Sequence, residues 1–325
     1  MTTDADALPG VVLLGSSGFI GRRIAASLAG KARVTAPSRN SGNRNPDSPA
    51  GPQEHNATST MADIAALDAA ALDATALDIT APGTLLPVLR YLKAPGTVIH
   101  AVSYVGSDPD LAREVNEAGT RNVIEQCRQS GNPRLIYLST ASVHGMGPHR
   151  GGGPYPCLPA SAASAARAEA ERMVLDYGGE VVRPNLVFGR GDRWLAPGLL
   201  RIIDTAGGWP GDGAARLSVI DAGSLGELVA GLALAESQPG EAFYAAYPEP
   251  IPVSVLVEGL CRASGRPVPP LLGDAPEVWQ SLLDGGFSRH QIDLVTVDHF
   301  YPSERLWRIS GVLPGAAPAV GMFRS

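Results

Sequence analysis

The sequence predicts an α/β fold: a doubly wound parallel sheet with a smaller C-terminal lobe. Three observations predict it. Short apolar runs, the signature of strands buried on both faces, alternate with helix-period segments through residues 1–185. A glycine-rich turn, Gly15-Ser16-Ser17-Gly18-Phe19-Ile20-Gly21, joins the first run to the first helix. Beyond residue 185 the alternation loosens, and Pro-rich stretches at 248–252 and 267–270 break the chain into short pieces.

The elements follow in order. Val11 to Leu14 reads as a buried strand. Phe19 to Ala29 carries apolar residues at helical spacing, with Gly30 as a stop. Ala32 to Ala36 is a second strand. Pro37 to Ser59, rich in Pro, Asn, Ser and Gly, is a surface loop. Ala62 to Ile79 holds a five-residue echo, with Leu67, Leu72 and Leu77 each followed by Asp. That period fits neither helix nor strand, so it reads as low complexity. Thr97 to Ala101 is a strand, and Asp108-Pro109 opens a helix reaching Ser130, with Pro at the favoured first position. Arg134 to Leu138 is a strand, Gly145 to Pro159 a Gly/Pro-rich loop, Ser161 to Tyr177 a helix, and Glu180 to Arg183 a strand. Ser224 and Glu227 suggest a capping box for a helix through Ala235.

Composition excludes several classes. A net charge of -6 without a long basic run argues against nucleic acid. Cys127, Cys157 and Cys261 form no C-x-x-C pair, so no zinc or disulfide framework is expected. Met1 to Pro9 is acidic and lacks the apolar stretch of a secretory signal, and no run approaches the ~18 apolar residues of a membrane helix. A cytoplasmic protein with no membrane partner is the expectation. Lys31 and Lys93 are the only lysines; heavy use of Ala, Gly, Pro and Arg suggests a GC-rich bacterial genome.

The glycine turn carries the first chemistry. Gly15 permits the tight turn, Gly18 lets the backbone approach a pyrophosphate at the positive helix N-terminus, and Gly21 allows close helix packing. A purely structural turn is the competing reading. The strand before it and the helix after it favour a dinucleotide and a Rossmann-like sheet. Residues 1–185 then form the cofactor-binding part, with returning segments from the C-terminal half, and residues 186–325 are mainly a substrate-binding lobe.

The Gly-x-x-Gly-x-x-Gly spacing resembles the extended short-chain dehydrogenase/reductases, the NAD(P)-dependent epimerase/dehydratase family. Further stretches carry the resemblance. Leu77-Asp78-Ile79-Thr80 resembles the acidic segment that meets the adenine, and Val98-Ile99-His100-Ala101 the fourth strand beside the cofactor. Asn116 with Gly119-Thr120 resembles the central-helix motif. Tyr137 to Gly145 resembles the strand end carrying the catalytic Ser/Thr, and Arg183-Pro184-Asn185 through Gly189 a further motif of the group. Tyr301 to Pro314 is a looser match to the C-terminal motif, including the sterol-dehydrogenase-like branch.

The resemblance implies cofactor contacts at Gly15, Ser17, Gly18, Phe19, Ile20, Gly21, Ser38, Arg39, Asp78, Ile79, Ala101, Val102, Arg167 and Pro184. After the second strand, Ser38-Arg39 supplies a base and no acid, which favours NADP(H) over NAD(H), since arginine accommodates a 2′-phosphate. A solvated loop arginine is the alternative.

The family's catalytic Tyr-x-x-x-Lys is missing. Pro159 to Glu171 matches its helix, with Ala163 at the tyrosine position and Arg167 at the lysine position. No lysine lies beyond residue 93, and none of the eight tyrosines has a lysine four residues later. Thr140 matches the carbonyl-orienting position. Tyr104 is the first candidate for a substitute acid and His144 the second, and Tyr155 lies in the loop leading to the active helix; packed or solvated side chains are the alternative for each. His144 and His149 lie in a loop without nearby carboxylates, so no metal is expected. Asn185, Arg193, Trp194 and Arg216 are candidate substrate contacts, and Trp209 either walls a pocket or packs in the core.

These readings imply an atypical NADP(H)-dependent oxidoreductase, of ketoreductase or epimerase type, in bacterial secondary metabolism. The substrate is a small molecule, a sugar nucleotide or a polyketide-like carbonyl or alcohol, and a homodimer is one expected assembly. A redox-silent isomerase, dehydratase or cyclase on the same fold and a non-catalytic cofactor-binding protein are the alternatives. Net NADPH consumption separates the first from the others.

Overall fold

The computed structural model describes residues 8–37, 77–90, 92 and 95–315. Ser38, Arg39 and most of the five-residue echo lie outside them. Six strands make a fully parallel sheet in the order β10-β6-β4-β3-β1-β2. These are β1 (Gly10–Leu14), β2 (Arg33–Thr35), β3 (Thr97–His100), β4 (Arg134–Leu138), β6 (Glu180–Pro184) and β10 (Ala242–Ala245). This is a Rossmann-like doubly wound sheet. The chain leaves β1 toward β2 and then returns past β1 to β3, which creates the crevice where α/β sheets of this kind bind ligands.

Side-chain alternation sorts the two faces. Leu13, Ile99, Ile136, Val182 and Phe243 point to one face. They pack with α1 (Gly21–Leu28), α7 (Ala222–Leu234) and α11 (Glu304–Ser310). Val12, Val98, Leu135, Tyr137 and Val181 point to the other. There they meet α4 (Gly119–Gln129) and α5 (Ala162–Asp176). Burial on both faces explains why these strands read as continuous apolar runs.

The helix expected from Pro109 is continuous in position but not in pitch. α3 (Pro109–Ala112) passes through a π-helical stretch, Arg113–Ala118, into α4. Asp108 caps its start by accepting from the amides of Asp110 and Leu111. The expected capping box at Ser224 is corrected. α7 begins at Ala222, its cap is Asp221, and Ser224 and Glu227 lie inside the helix. Asp221, three residues earlier, does the capping by accepting from the free amides of Gly223 and Ser224.

A smaller sheet, in the order β11-β8-β12-β5, joins the C-terminal half to the loop after β4. It contains β5 (His149–Arg150), β8 (Arg216–Leu217), β11 (Ile251–Pro252) and β12 (His299–Phe300). β7 (Leu186–Phe188) pairs with β9 (Val219–Asp221). Asn185 stitches these pieces together, its amide donating to the carbonyls of Ser218 and His299. Trp209 is buried in the main core.

Candidate functional site

The glycine turn is built by close contacts. Gly15 has φ +86°, and a Cβ there would lie 2.8 Å from the Ala101 carbonyl oxygen at the end of β3. A Cβ on Gly21 would lie 2.0 Å from the Gly15 carbonyl, so only glycine lets α1 start this close to the turn. Gly18 is different. It is exposed, donates its amide to the Gly15 carbonyl at 3.0 Å, and a Cβ would meet nothing closer than that carbonyl at 3.1 Å. The outer surface of the turn is therefore bare backbone. Among the described residues the Phe19 and Ile20 amides pair with no acceptor, and Ile20 caps α1 without a side-chain bond. Bare backbone and free amides at a helix N-terminus are what a pyrophosphate requires. Ser17 is exposed beside them, and Ala101 and Val102 are half-buried against Gly15.

The acidic segment is docked from α4. Asn122 donates to the carbonyls of Ile79 and Thr80. Ile79 lies against Gly119, where a Cβ would be 2.8 Å away, which accounts for the glycine in the central-helix motif. Asp78 folds its own turn, accepting from the Thr80 amide and hydroxyl through Oδ1. Thr120 donates to the Asn116 carbonyl at 2.6 Å and meets His100 Nε2 at 3.0 Å. Val102 N–H reaches His100 Nδ1 at 3.4 Å, so the proton of the neutral ring belongs on Nε2. Burial, and then the Arg167 charge, pull the His100 pKa down to about 3.

Thr140 follows β4 and is half-buried. Its hydroxyl donates to Ser142 Oγ at 3.2 Å and receives the Ser142 amide. Ala163 is half-buried in the first turn of α5, which Ser161 and Ser164 cap reciprocally. Arg167, one turn on, does not stand out into solvent. It is 9% exposed, and its Nη2 donates to the Leu138 carbonyl at 2.8 Å. Pro184 is buried at the end of β6.

The two leading substitute acids occupy different settings. Tyr104 lies in the loop after β3, tied there by paired backbone bonds to the Asn116 amide. Its hydroxyl accepts the Asp108 amide at 3.2 Å, and among the described residues its own proton has no acceptor. His144 is buried and uses both nitrogens: Nδ1–H meets the Pro156 carbonyl at 3.0 Å, and Nε2 accepts from Tyr244 at 2.8 Å. Burial lowers its pKa, the Pro156 carbonyl opposes this, and Arg183 adds to the lowering.

Sequence reasoning missed the network beyond His144. His149 and His299 are register partners in β5 and β12, with Nδ1 atoms 3.0 Å apart. His299 Nε2 contacts Asp293 Oδ2 at 2.8 Å, and the Tyr301 hydroxyl lies 3.0 Å from His149. Burial, helped by His299, holds the His149 pKa near 4. The loop histidines therefore do have a carboxylate nearby, supplied from a distant part of the chain. The only local signal was the aromatic and histidine content of residues 144–155 and 299–301. Among the described residues, no group of three or more His, Cys, Asp or Glu side chains could hold a metal ion.

The candidate substrate residues are dispersed. Arg193 and Trp194 are exposed after β7, with Trp194 at 65%. Arg216 is exposed, stacks its guanidinium over Phe300 and donates its backbone amide to Asp298 Oδ1. Asn185 is committed to the two carbonyls named above. Tyr155 accepts the Arg150 amide and packs edge-on against His149.

The description "NAD dependent epimerase/dehydratase family" matches residues 11–206. The chain is 31% identical over 211 residues to a 2-alkyl-3-oxoalkanoate reductase of Stenotrophomonas maltophilia, covering 54% of this chain and 62% of that one. It is 38% identical over 117 residues to the decarboxylating sterol-4-alpha-carboxylate 3-dehydrogenase of Saccharomyces cerevisiae, covering 32% and 34%. The matches thus span between about a third and three fifths of these relatives' lengths. Among solved structures, a UDP-Glc/GlcNAc 4-epimerase of Campylobacter jejuni superposes with a TM-score of 0.66 over 96% of both chains at 14% identity, which is a likeness of fold.

Proposed function

Because the chain belongs to the NAD dependent epimerase/dehydratase family, we propose that it is an NADP(H)-dependent oxidoreductase of the ketoreductase or epimerase type, acting in bacterial secondary metabolism. The observation that carries this reading is the bare backbone of the Gly15–Gly21 turn, with the Phe19 and Ile20 amides over α1 unpaired among the described residues. These residues, with Ser17, Ala101, Val102, Asp78, Ile79 and Pro184, would hold the cofactor. Bound there, the nicotinamide supplies a hydride donor or acceptor. The preference for NADP(H) rests on Ser38 and Arg39 in the sequence.

Thr140 is assigned to orient the substrate oxygen, since its hydroxyl stands at the end of β4 beside α5. Tyr104 is assigned as proton donor ahead of His144, because its proton is uncommitted while both His144 nitrogens are occupied inside. An apolar, polyketide- or lipid-like substrate is favoured over a sugar nucleotide. Val105, Met146, Leu158 and Trp194 are exposed on loops that leave the C-terminal ends of the parallel strands or their continuation. Exposed apolar side chains on these loops suit an apolar ligand. The names of both curated relatives, an alkyl-oxoalkanoate reductase and a sterol-carboxylate dehydrogenase, point the same way.

Calorimetric titration with NADPH and NADH, followed by NADPH oxidation assays on a panel of apolar ketones, tests the reading. Tighter NADPH binding and stoichiometric oxidation are expected. Equal affinities would remove the NADP assignment. Turnover with no net redox change would favour a redox-silent isomerase, the second reading that Ala163 motivates.

A further inference from the structure

Three potential ligand atoms converge in the small sheet. His149 Nδ1 lies 3.0 Å from His299 Nδ1 and 3.0 Å from the Tyr301 hydroxyl, and the last two are 3.3 Å apart. All three side chains are buried. They come from segments 150 residues apart, brought together where β5 pairs with β12.

Hydrogen bonding uses this triangle incompletely. His299 Nε2 is committed to Asp293 Oδ2 at 2.8 Å, so a neutral ring donates there and presents a bare lone pair at Nδ1. Two protons remain for three contacts, one on His149 Nδ1 and one on Tyr301. If His149 donates to Tyr301 and Tyr301 to His299, the two ring nitrogens face each other at 3.0 Å with no proton between them. If His149 donates to His299, that lone pair is spent, and the Tyr301 proton has no acceptor of its own in the triangle. One cation placed among the three atoms serves all of them at once.

The dimensions suit a small ion. Zinc binds imidazole at ~2.0–2.1 Å in tetrahedral sites, which sets its ligands about 3.3 Å apart. Movements of a few tenths of an ångström would seat it. The supporting shell is already built. Asp293 takes the outer N–H of His299, the carboxylate–histidine arrangement that orients metal ligands, and the Gly147 amide fixes Asp293 in turn. Charge also closes, since a divalent cation is matched by a Tyr301 phenolate and the Asp293 carboxylate. Two imidazoles favour zinc and its neighbours over calcium or magnesium.

We propose that His149, His299 and Tyr301 bind one divalent cation of the zinc class, with Asp293 behind His299, and that this ion pins the loop after β4 to the C-terminal segment. The set is two histidines and a phenol. Binding sends the Tyr301 proton to solvent and moves the His149 ring proton to Nε2, so one proton is released per ion. Three protein ligands leave the fourth position to a water.

The test uses the full chain, stripped of metal with EDTA. Zn2+ is titrated calorimetrically in buffers of different ionisation enthalpy, and Co2+ by visible absorption. One ion per chain at micromolar affinity or tighter is expected, with about one proton released per ion and the visible bands of four-coordinate Co2+. His149→Gln and His299→Gln should abolish this binding. Asp293→Asn should weaken it by about 10–100-fold, and Tyr301→Phe should weaken it and remove the proton release. Failure of the wild type to take up one ion per chain overturns the proposal. Binding that survives both histidine variants marks an adventitious ion and overturns it too, as does zinc uptake with no proton released. Should the histidine variants fail to fold, Tyr301→Phe and Asp293→Asn decide, and unchanged Zn2+ affinity in both overturns it.

Discussion

The hydroxyl of Tyr244 donates to His144 Nε2 at 2.8 Å, across 100 residues of chain, and fixes which ring nitrogen of the histidine carries the proton. With the Pro156 carbonyl on Nδ1, the ring is held neutral from both sides. His149 and His100 are likewise buried and neutral, their pKa values lowered to about 4 and about 3.

Acid should therefore unfold this protein before its carboxylates are reached. A histidine whose folded pKa lies below its ordinary 6.5 binds protons more readily in the unfolded chain. Its stabilising effect is complete above pH ~6.5 and is lost as pH falls toward the folded value. With two such histidines, the free energy of unfolding should fall by up to about 3 kcal/mol per pH unit between pH ~6 and ~4, at about 1.4 kcal/mol per histidine. Urea unfolding at a series of pH values checks this, and a flat profile across that window would contradict it. Tyr244→Phe, which strips the donor from His144, should cost about 1–3 kcal/mol at neutral pH.

Gly18 and Gly21 should fail differently. A Cβ at Gly21 collides with the Gly15 carbonyl at 2.0 Å, so Gly21→Ala should destabilise the fold itself, by roughly 2–4 kcal/mol. A Cβ at Gly18 would meet only the Gly15 carbonyl oxygen, at 3.1 Å rather than 2.0 Å, so Gly18→Val should stay folded. It should lose NADPH binding by about two orders of magnitude, because the pyrophosphate can no longer approach the backbone. Thermal melting and NADPH titration of both variants separate the effects; unaltered NADPH affinity in Gly18→Val would refute the assigned phosphate site.

Restoring the missing phenol should not restore an ordinary active site. Arg167 is turned onto the Leu138 carbonyl, and no lysine is present to lower a tyrosine pKa at position 163. An unperturbed phenol near pKa ~10 is poorly matched to neutral-pH proton transfer. Ala163→Tyr is expected to leave kcat flat or reduce it. Tyr104→Phe, by contrast, is expected to lower kcat by about 10²–10⁴-fold, the usual worth of a general acid. Steady-state kinetics on the identified substrate decide. A large gain in Ala163→Tyr would mark a damaged ordinary site, and wild-type rates in Tyr104→Phe would remove that tyrosine from the chemistry.

The sequence by itself determined the parallel sheet, the glycine turn and the missing Tyr-x-x-x-Lys pair. Each is local. A strand buried on both faces must be a continuous apolar run, as Val11 to Leu14 and Leu135 to Leu138 are. A helix that starts on a carbonyl must begin with Gly21, whatever the rest of the chain does. The tertiary structure decided where side chains find their partners. Asn185 looked like a substrate contact until the carbonyls of Ser218 and His299, 33 and 114 residues away, met its amide. His149 has no carboxylate in its own loop; β12 brings His299, with Asp293 behind it, into register across 150 residues. Arg167 sits where a cofactor contact was expected, yet Glu171 is held by Arg183 and Arg167 donates to the Leu138 carbonyl instead. Periodicity records which face of an element is buried. It carries no register between elements, and the partner of a buried polar group is a matter of register.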